Sequence, residues 1–239
     1  MGTVIRDITG NELRLFGDIV ARLERLEPEA DARAEIFMDV VRLLRGDFAA
    51  SYVWDSGANR FDEGLRFNMD PGNLRRYEDW YQFRDPITFQ LRSRQRATLV
   101  DEVIPREKLK RTEFYNDFLA RDGLNHGINI FIFDQQRDLG DLRIWRARGR
   151  AEFGERDTGL LDALEPYLRR ALQRGAPSTG LTSREYEVAV LVSRGCTDRD
   201  IARLLGIGFG TVRTHLTHAM AKHGCANRAE LAAIIARKH

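Results

Sequence analysis

The side chains best suited to chemistry cluster in two stretches. In the first, the chain reads Trp80-Tyr81-Gln82-Phe83-Arg84-Asp85-Pro86. A carboxylate among aromatic rings suits a small-molecule site, which is built from apolar walls and a few convergent polar groups. Asp85 is the candidate acceptor, and Tyr52, Trp54, Phe67, Tyr77, Trp80, Tyr81 and Phe131 are the candidate walls. Each ring has a plainer reading as ordinary core. Asp85 has one too, because Asp before a first-turn proline is a good start for a short helix at Pro86. Under either reading, a buried carboxylate needs donors beside it.

The second stretch is GTVRTHLTHAMAKH, residues 210–223. At helical spacing Arg213, Thr214 and Thr217 share an exposed face, while Val212, Leu216 and Met220 turn to a core. The planar fork of Arg213 suits guanine O6 and N7; a plain phosphate contact is its alternative. Thr211 and Lys222 suit phosphate, which fixes register without reading sequence. His215, His218 and His223 are expected to face solvent or phosphate rather than a metal ion. Cys196 and Cys225 lack metal-ligand spacing and read as buried structural thiols. Phe209, between Gly208 and Gly210, has two readings: exposed at a frayed helix start, or tucked back on its own domain.

Other chemistries find no support. The sequence has no phosphate-cradling glycine loop, metal-ligand cluster or nucleophile–base arrangement. Of five histidines only His126 precedes residue 200, which leaves little for acid–base work. No enzyme activity, metal or cofactor is expected. The runs Arg92, Arg94, Arg96 and Arg143, Arg146, Arg148, Arg150 read as a solvated face, with an anionic ligand as the sharper alternative.

The 239 residues carry a net charge of +2 and are 43% hydrophobic, enough for a real core. That excludes a disordered or collagen-like chain. No apolar run approaches the roughly 20 residues of a spanning helix, so no membrane partner is expected. The first residues carry no signal-peptide pattern, and two cysteines are too few for a disulfide scaffold; a reducing cytoplasm is the expected location. From residue 180 onward nine Lys/Arg face five Asp/Glu, a net charge of +4. A small basic piece behind a larger neutral one suggests a polyanion-binding module.

RGAPSTG, residues 174–180, reads as a linker. It divides the chain into 1–173 and 181–239. Before it, helical spacing is expected around Phe16–Leu26 and Ile36–Leu44. Strands are expected over Phe48–Trp54 and Phe61–Phe67, with Ser56–Asn59 as their turn. A short helix is expected over Asn73–Gln82, an edge strand or irregular stretch over Arg96–Val103, and a helix over Glu107–Arg121. Gly127–Asp134 and Leu142–Arg148 are the clearest strands. On the first, Ile128, Ile130 and Ile132 share one face; Asn129, Phe131 and Phe133 share the other, the better pocket wall. A helix over Leu160–Leu172 should kink at Pro166. This is an α+β chain whose first domain is an α/β/α sensor-like fold with an antiparallel sheet, PAS/GAF-like. After the linker four short helices follow. Thr182 with Glu185 and Thr197 with Asp200 cap the first two; Asn227 with Glu230 starts the last. The middle pair flanks Gly206–Ile207–Gly208, a helix-turn-helix.

The run LTSREYEVAVLVSRGCTDRDIARLLGIGFGTVRTHLTHAMAKHGCANRAEL resembles the DNA-binding domain of the LuxR family of bacterial regulators. The resemblance rests on Leu181-Thr182-x-Arg184-Glu185, Gly195, Asp200-Ile201-Ala202, Leu205-Gly206-Ile207, Thr211-Val212-Arg213-x-His215, Lys222 and Asn227-Arg228. It implies a transcription factor whose base-reading positions are Arg213, Thr214 and Thr217. Where the family has a Ser cap and polar residues, this chain has Gly208–Phe209–Gly210. The first domain is similar to the family's acyl-homoserine-lactone receptors at Tyr81 with Asp85-Pro86-Ile87, and at FLARDGLNHG before INIFIF. The receptors' Trp and Tyr, 13 and 9 residues before that Asp, are here Gly72 and Arg76. The expectation is a ligand-controlled, dimeric regulator of quorum-sensing or orphan type. Its expected partners are double-stranded DNA, a second copy, RNA polymerase, and a lactone or other small molecule. The helix over Leu160–Leu172 and the last helix (Leu231, Ile234, Ile235) are the expected dimer interfaces. The alternative is a ligand-independent regulator whose first domain only dimerises or binds a protein partner.

Overall fold

A computed structural model describes residues 7–55, 60–134, 137–175 and 181–236. The expected turn Ser56–Asn59 and residues 176–180 of the expected linker lie outside the described residues. The chain divides into two compact units near residue 176.

The first unit opens with α1 (Gly10–Arg25) and α2 (Ala32–Leu43). Thr9 and Glu12 cap α1 reciprocally, and Asp31 caps α2 through the Arg33 and Ala34 amides. The antiparallel hairpin β1 (Phe48–Asp55) and β2 (Arg60–Phe67) follows. A stretch of short pieces comes next: α3 (Pro71–Asp79), α4 (Thr88–Arg92), β3 (Thr98–Leu99), α5 (Arg106–Leu109) and α6 (Ala120–Asp122). Then come β4 (Leu124–Asp134), β5 (Arg137–Ala147) and α7 (Glu155–Gly175). The strands form one sheet in the order β2-β1-β5-β4-β3.

Alternation along β4 separates two cores, one on each face of the sheet. Ile128, Ile130 and Ile132 pack with Ile19, Leu23, Ile36 and Leu164 of the long helices. Phe131 packs with Tyr77, Phe114, Phe118 and Trp145 on the other face. The result is an α/β/α sandwich. Leu160, Leu161, Leu164 and Leu168 of α7 are almost wholly buried in the first core. These leucines are thus covered by their own domain, which leaves only the outward face of α7 for a partner. Runs through Pro166 are tolerated, for α7 continues as one helix across it.

Local chemistry moves several expected boundaries. Asp70 caps α3 with Pro71 in the first turn, so the helix starts before Asn73. It ends at Asp79, and a separate 3-10 turn covers Tyr81–Phe83. The expected edge strand is two residues long and passes into a 3-10 turn. The helix expected over Glu107–Arg121 is broken. Thr112 Oγ1 donates to the Leu109 carbonyl at 2.7 Å and accepts from the Tyr115 amide at 3.1 Å. Such side-chain bonds compete with the helical ladder. A π-helical turn, Tyr115–Leu119, follows, and Gly123 (φ 81°) ends the segment.

The second unit is α8 (Ser183–Ser193), α9 (Asp198–Leu205), α10 (Phe209–Lys222) and α11 (Arg228–Ala236). Thr182/Glu185 and Thr197/Asp200 form reciprocal caps, each side-chain cap worth ~1 kcal/mol. Asn227 accepts from the Glu230 amide at the start of α11. Val188, Ile201, Val212, Leu216, Leu231 and Ile235 make the shared core. Leu231 and Ile235 of the last helix are fully buried there, while Ile234 is half-buried.

Candidate functional site

Two regions gather the residues singled out above. In the second unit, α9 and α10 are joined through Gly206, whose left-handed backbone (φ 62°) ends α9. Gly208 opens α10 with extended backbone and no side-chain cap. Val212 and Leu216 are buried, which turns Thr211, Arg213, Thr214 and Thr217 outward, all exposed. Thr214 Oγ1 donates to the Gly210 carbonyl at 3.1 Å. Phe209 is 46% exposed rather than tucked away, and Arg213 lies over its ring at 5.8 Å. Cys196 and Cys225 are only half-buried.

Lys222 has a partner within its own domain. Its Nζ donates to Glu185 Oε2 at 2.6 Å, and Glu185 also accepts from the Thr182 amide at 2.7 Å. Burial alone would raise the Glu185 carboxyl; the Lys222 ammonium and the Thr182 donors outweigh it and hold the carboxyl below its ordinary range. The pair ties α10 to α8.

In the first unit a cavity of about 30 Å³ lies between the sheet and α3–α6, enough for about two waters. Of the expected wall, Tyr52, Tyr77 and Asp85 line it. The other rings lie elsewhere. Trp80 is 46% exposed with the Arg84 guanidinium 3.7 Å from its ring, because α3 ends at Asp79 and releases it outward. Trp54 packs edge-on against Phe61 and Phe89. Phe67 points to the other face of the sheet, against the first core. Tyr81 stands behind the wall, its hydroxyl 3.4 Å from Glu113. Phe131 is buried in the same cluster, under the Arg143 guanidinium.

Asp85 is saturated by its own chain. Oδ1 accepts from the amides of Ile87 (2.7 Å) and Thr88 (2.9 Å), the geometry of a helix cap. Oδ2 accepts from the Thr88 hydroxyl and from Tyr77 at 3.4 Å. Burial pushes the carboxyl up against the pull of these donors.

The cavity's other polar groups were not among the expected site residues. Arg143 is buried, with Nε and Nη2 on Asp141 Oδ2 at 2.9 and 2.6 Å and Nη1 on the Tyr77 hydroxyl. Tyr52, Phe61 and Tyr77 surround its guanidinium at 4.3–5.4 Å. Burial opposes the Arg143 charge, but Asp141 and Tyr77 outweigh it. The solvated-face reading therefore fails at Arg143 and also at Arg146, which is buried and bonded to Asp157 and the Leu44 carbonyl. Asn129, 3% exposed, lines the cavity with no hydrogen-bond partner for Nδ2. Its position on the mixed face of β4 was the available signal, as was the Asp141-x-Arg143 spacing that puts acid and base on one strand face.

Residues 179–235 match the family described as "Bacterial regulatory proteins, luxR family". The monoamine regulon transcriptional regulator of Klebsiella aerogenes is 29% identical over 167 residues, 69% of this chain and 73% of that protein. The LuxR family factor CepR2 from Burkholderia cenocepacia, titled N-acylhomoserine lactone dependent, superposes with a TM-score of 0.51 at 18% identity; the match covers 72% of this chain and 99% of that one. A GAF domain from a Coxiella burnetii phosphoenolpyruvate-protein phosphotransferase gives 0.53 at 14%, covering 72% and 98%. At such identities these two structures speak for fold alone. The helix-turn-helix geometry and the family match over residues 179–235 together give this chain a DNA-binding domain of the bacterial luxR type, that of a transcriptional regulator.

Proposed function

We propose that the chain is a small-molecule-controlled regulator that binds operator DNA as a dimer, with residues 1–173 as sensor, 174–180 as linker and 181–239 as DNA reader. α10 lies in the major groove, where Arg213, Thr214 and Thr217 face base edges and Thr211 a phosphate. One helix-turn-helix reads a half-site, hence the dimer. Loss of an Arg–guanine contact costs about 1–3 kcal/mol. Arg213→Ala should therefore weaken operator binding by that amount and relax preference at one base pair. Unchanged binding to the operator and to its single-base variants would remove Arg213 from the reading face.

The observation that carries ligand control is the buried, unpartnered Asn129 Nδ2 at the cavity. A buried donor without an acceptor costs about 1–3 kcal/mol. A ligand oxygen at that atom would recover it. The cavity as it stands holds about two waters, so a ligand would have to widen it; the lactone dependence of CepR2 makes acyl-homoserine lactones the first compounds to screen. The test is a thermal-shift screen on wild type, Asn129→Ala and Asp85→Asn. A compound that stabilises wild type more than Asn129→Ala supports the reading. Asp85 is already satisfied, which also favours a second reading, a first domain that only dimerises. A screen without a hit, with ligand-free protein binding its operator fully, selects that one.

A further inference from the structure

We propose that Phe209 is a specificity-determining residue whose ring packs on the C5 methyl of a thymine, one or two base pairs from the contact made by Arg213. The inference rests on α10 being the helix that reads the groove. Phe209 is the first residue of α10, and the first residues of such a helix reach base edges most directly. Its neighbours Gly208 and Gly210 carry no side chain. Phe209 is 46% exposed, and on its other side it is one wall of a groove shared with Gly195–Arg199 and Arg228; a Cβ built at Gly210 would meet nothing within 4 Å. Without side-chain bulk on either side the backbone can approach the duplex closely, bringing the exposed half of the ring to it.

Phe209 and Arg213 also stand one helical turn apart on one face, ring and guanidinium 5.8 Å apart. The pair therefore presents an apolar plate beside a bidentate donor. In the major groove those two chemistries match the thymine methyl and the O6/N7 edge of guanine. Phenylalanine has no hydrogen bond to offer, so methyl contact is the information it can read.

The test begins with operators selected from random duplexes by full-length wild type, Phe209→Ala, Phe209→Leu and Arg213→Ala. Phe209→Ala should lose a thymine preference at one position per half-site that Phe209→Leu largely keeps. Replacing that thymine by deoxyuridine removes only the methyl. It should weaken wild type about fourfold, the worth of one buried methyl, and leave Phe209→Ala unaffected. If deoxyuridine binds as tightly as thymine at every position, the proposal falls. It falls equally if Phe209→Ala weakens all sequences alike. If Arg213→Ala and Phe209→Ala both select the wild-type sequence, the reading of α10 itself falls. If Arg213→Ala relaxes a position and Phe209→Ala relaxes none, only the Phe209 contact is overturned.

Discussion

Lys222 and Glu185 show how a cation's role is decided by its nearest anion. Lys222 Nζ lies 2.6 Å from a carboxylate whose side chain is almost wholly buried. Lys222→Ala should cost about 1 kcal/mol of stability, at the low end for a charged hydrogen bond because the lysine is partly exposed. It should leave the salt dependence of DNA binding nearly unchanged, because a lysine already paired releases few counterions. The acid limb carries a further sign. The Glu185 carboxyl titrates below its ordinary value in the folded state, so its contribution is complete at neutral pH and is lost as pH falls through the folded value. Thermal unfolding of both proteins between about pH 7 and pH 3 should show a smaller acid-side loss for Lys222→Ala. An equal loss would mean that the pair does not set the titration. The sequence showed Glu185 as a cap and Lys222 as a cation, but not their meeting, since 37 residues separate them. Asp141 and Arg143 are different. Asp141 fell outside the strand expected over Leu142–Arg148, and the run of arginines alone suggested solvent.

Elements with a local cause were legible, and those set by tertiary packing were not. Thr182, Thr197 and Asn227 announce helix starts through their own side chains, and the structure has helices there. The Ile and Asn/Phe faces of β4 followed from a period of two. The π-helical turn at Tyr115–Leu119 had no such sign. It brings Phe114 and Phe118 into a stack with centroids 5.3 Å apart in the cavity wall, and contacts from α3 define that wall. The start of α10 is the element most open to improvement. Gly210 sits in its first turn with an unobstructed Cβ position. Gly210→Ala should stabilise the second unit by about 0.5–1 kcal/mol, the usual helical difference between the two residues. Chemical denaturation of the full chain measures it. A loss of stability would show that the glycine is needed for its backbone.

At the scale of the whole molecule, the two compact units have separate cores. Calorimetry of the full chain should resolve two transitions, each answering to its own substitutions. Asp141→Asn strips the buried Arg143 of its counter-charge and should lower the first unit's stability by about 3 kcal/mol or more. Lys222→Ala should move only the second unit's transition. A single transition shifted by both variants would show that the units unfold as one. Inside the first unit, β4 divides labour more finely. Ile128, Ile130 and Ile132 are held by the long helices, where exchange for a smaller side chain costs stability. Asn129 and Phe131 answer to the cavity side. Successive positions of one strand thus carry different loads. Every second residue can change while the intervening isoleucines preserve the scaffold, so relatives should differ in period two along this strand.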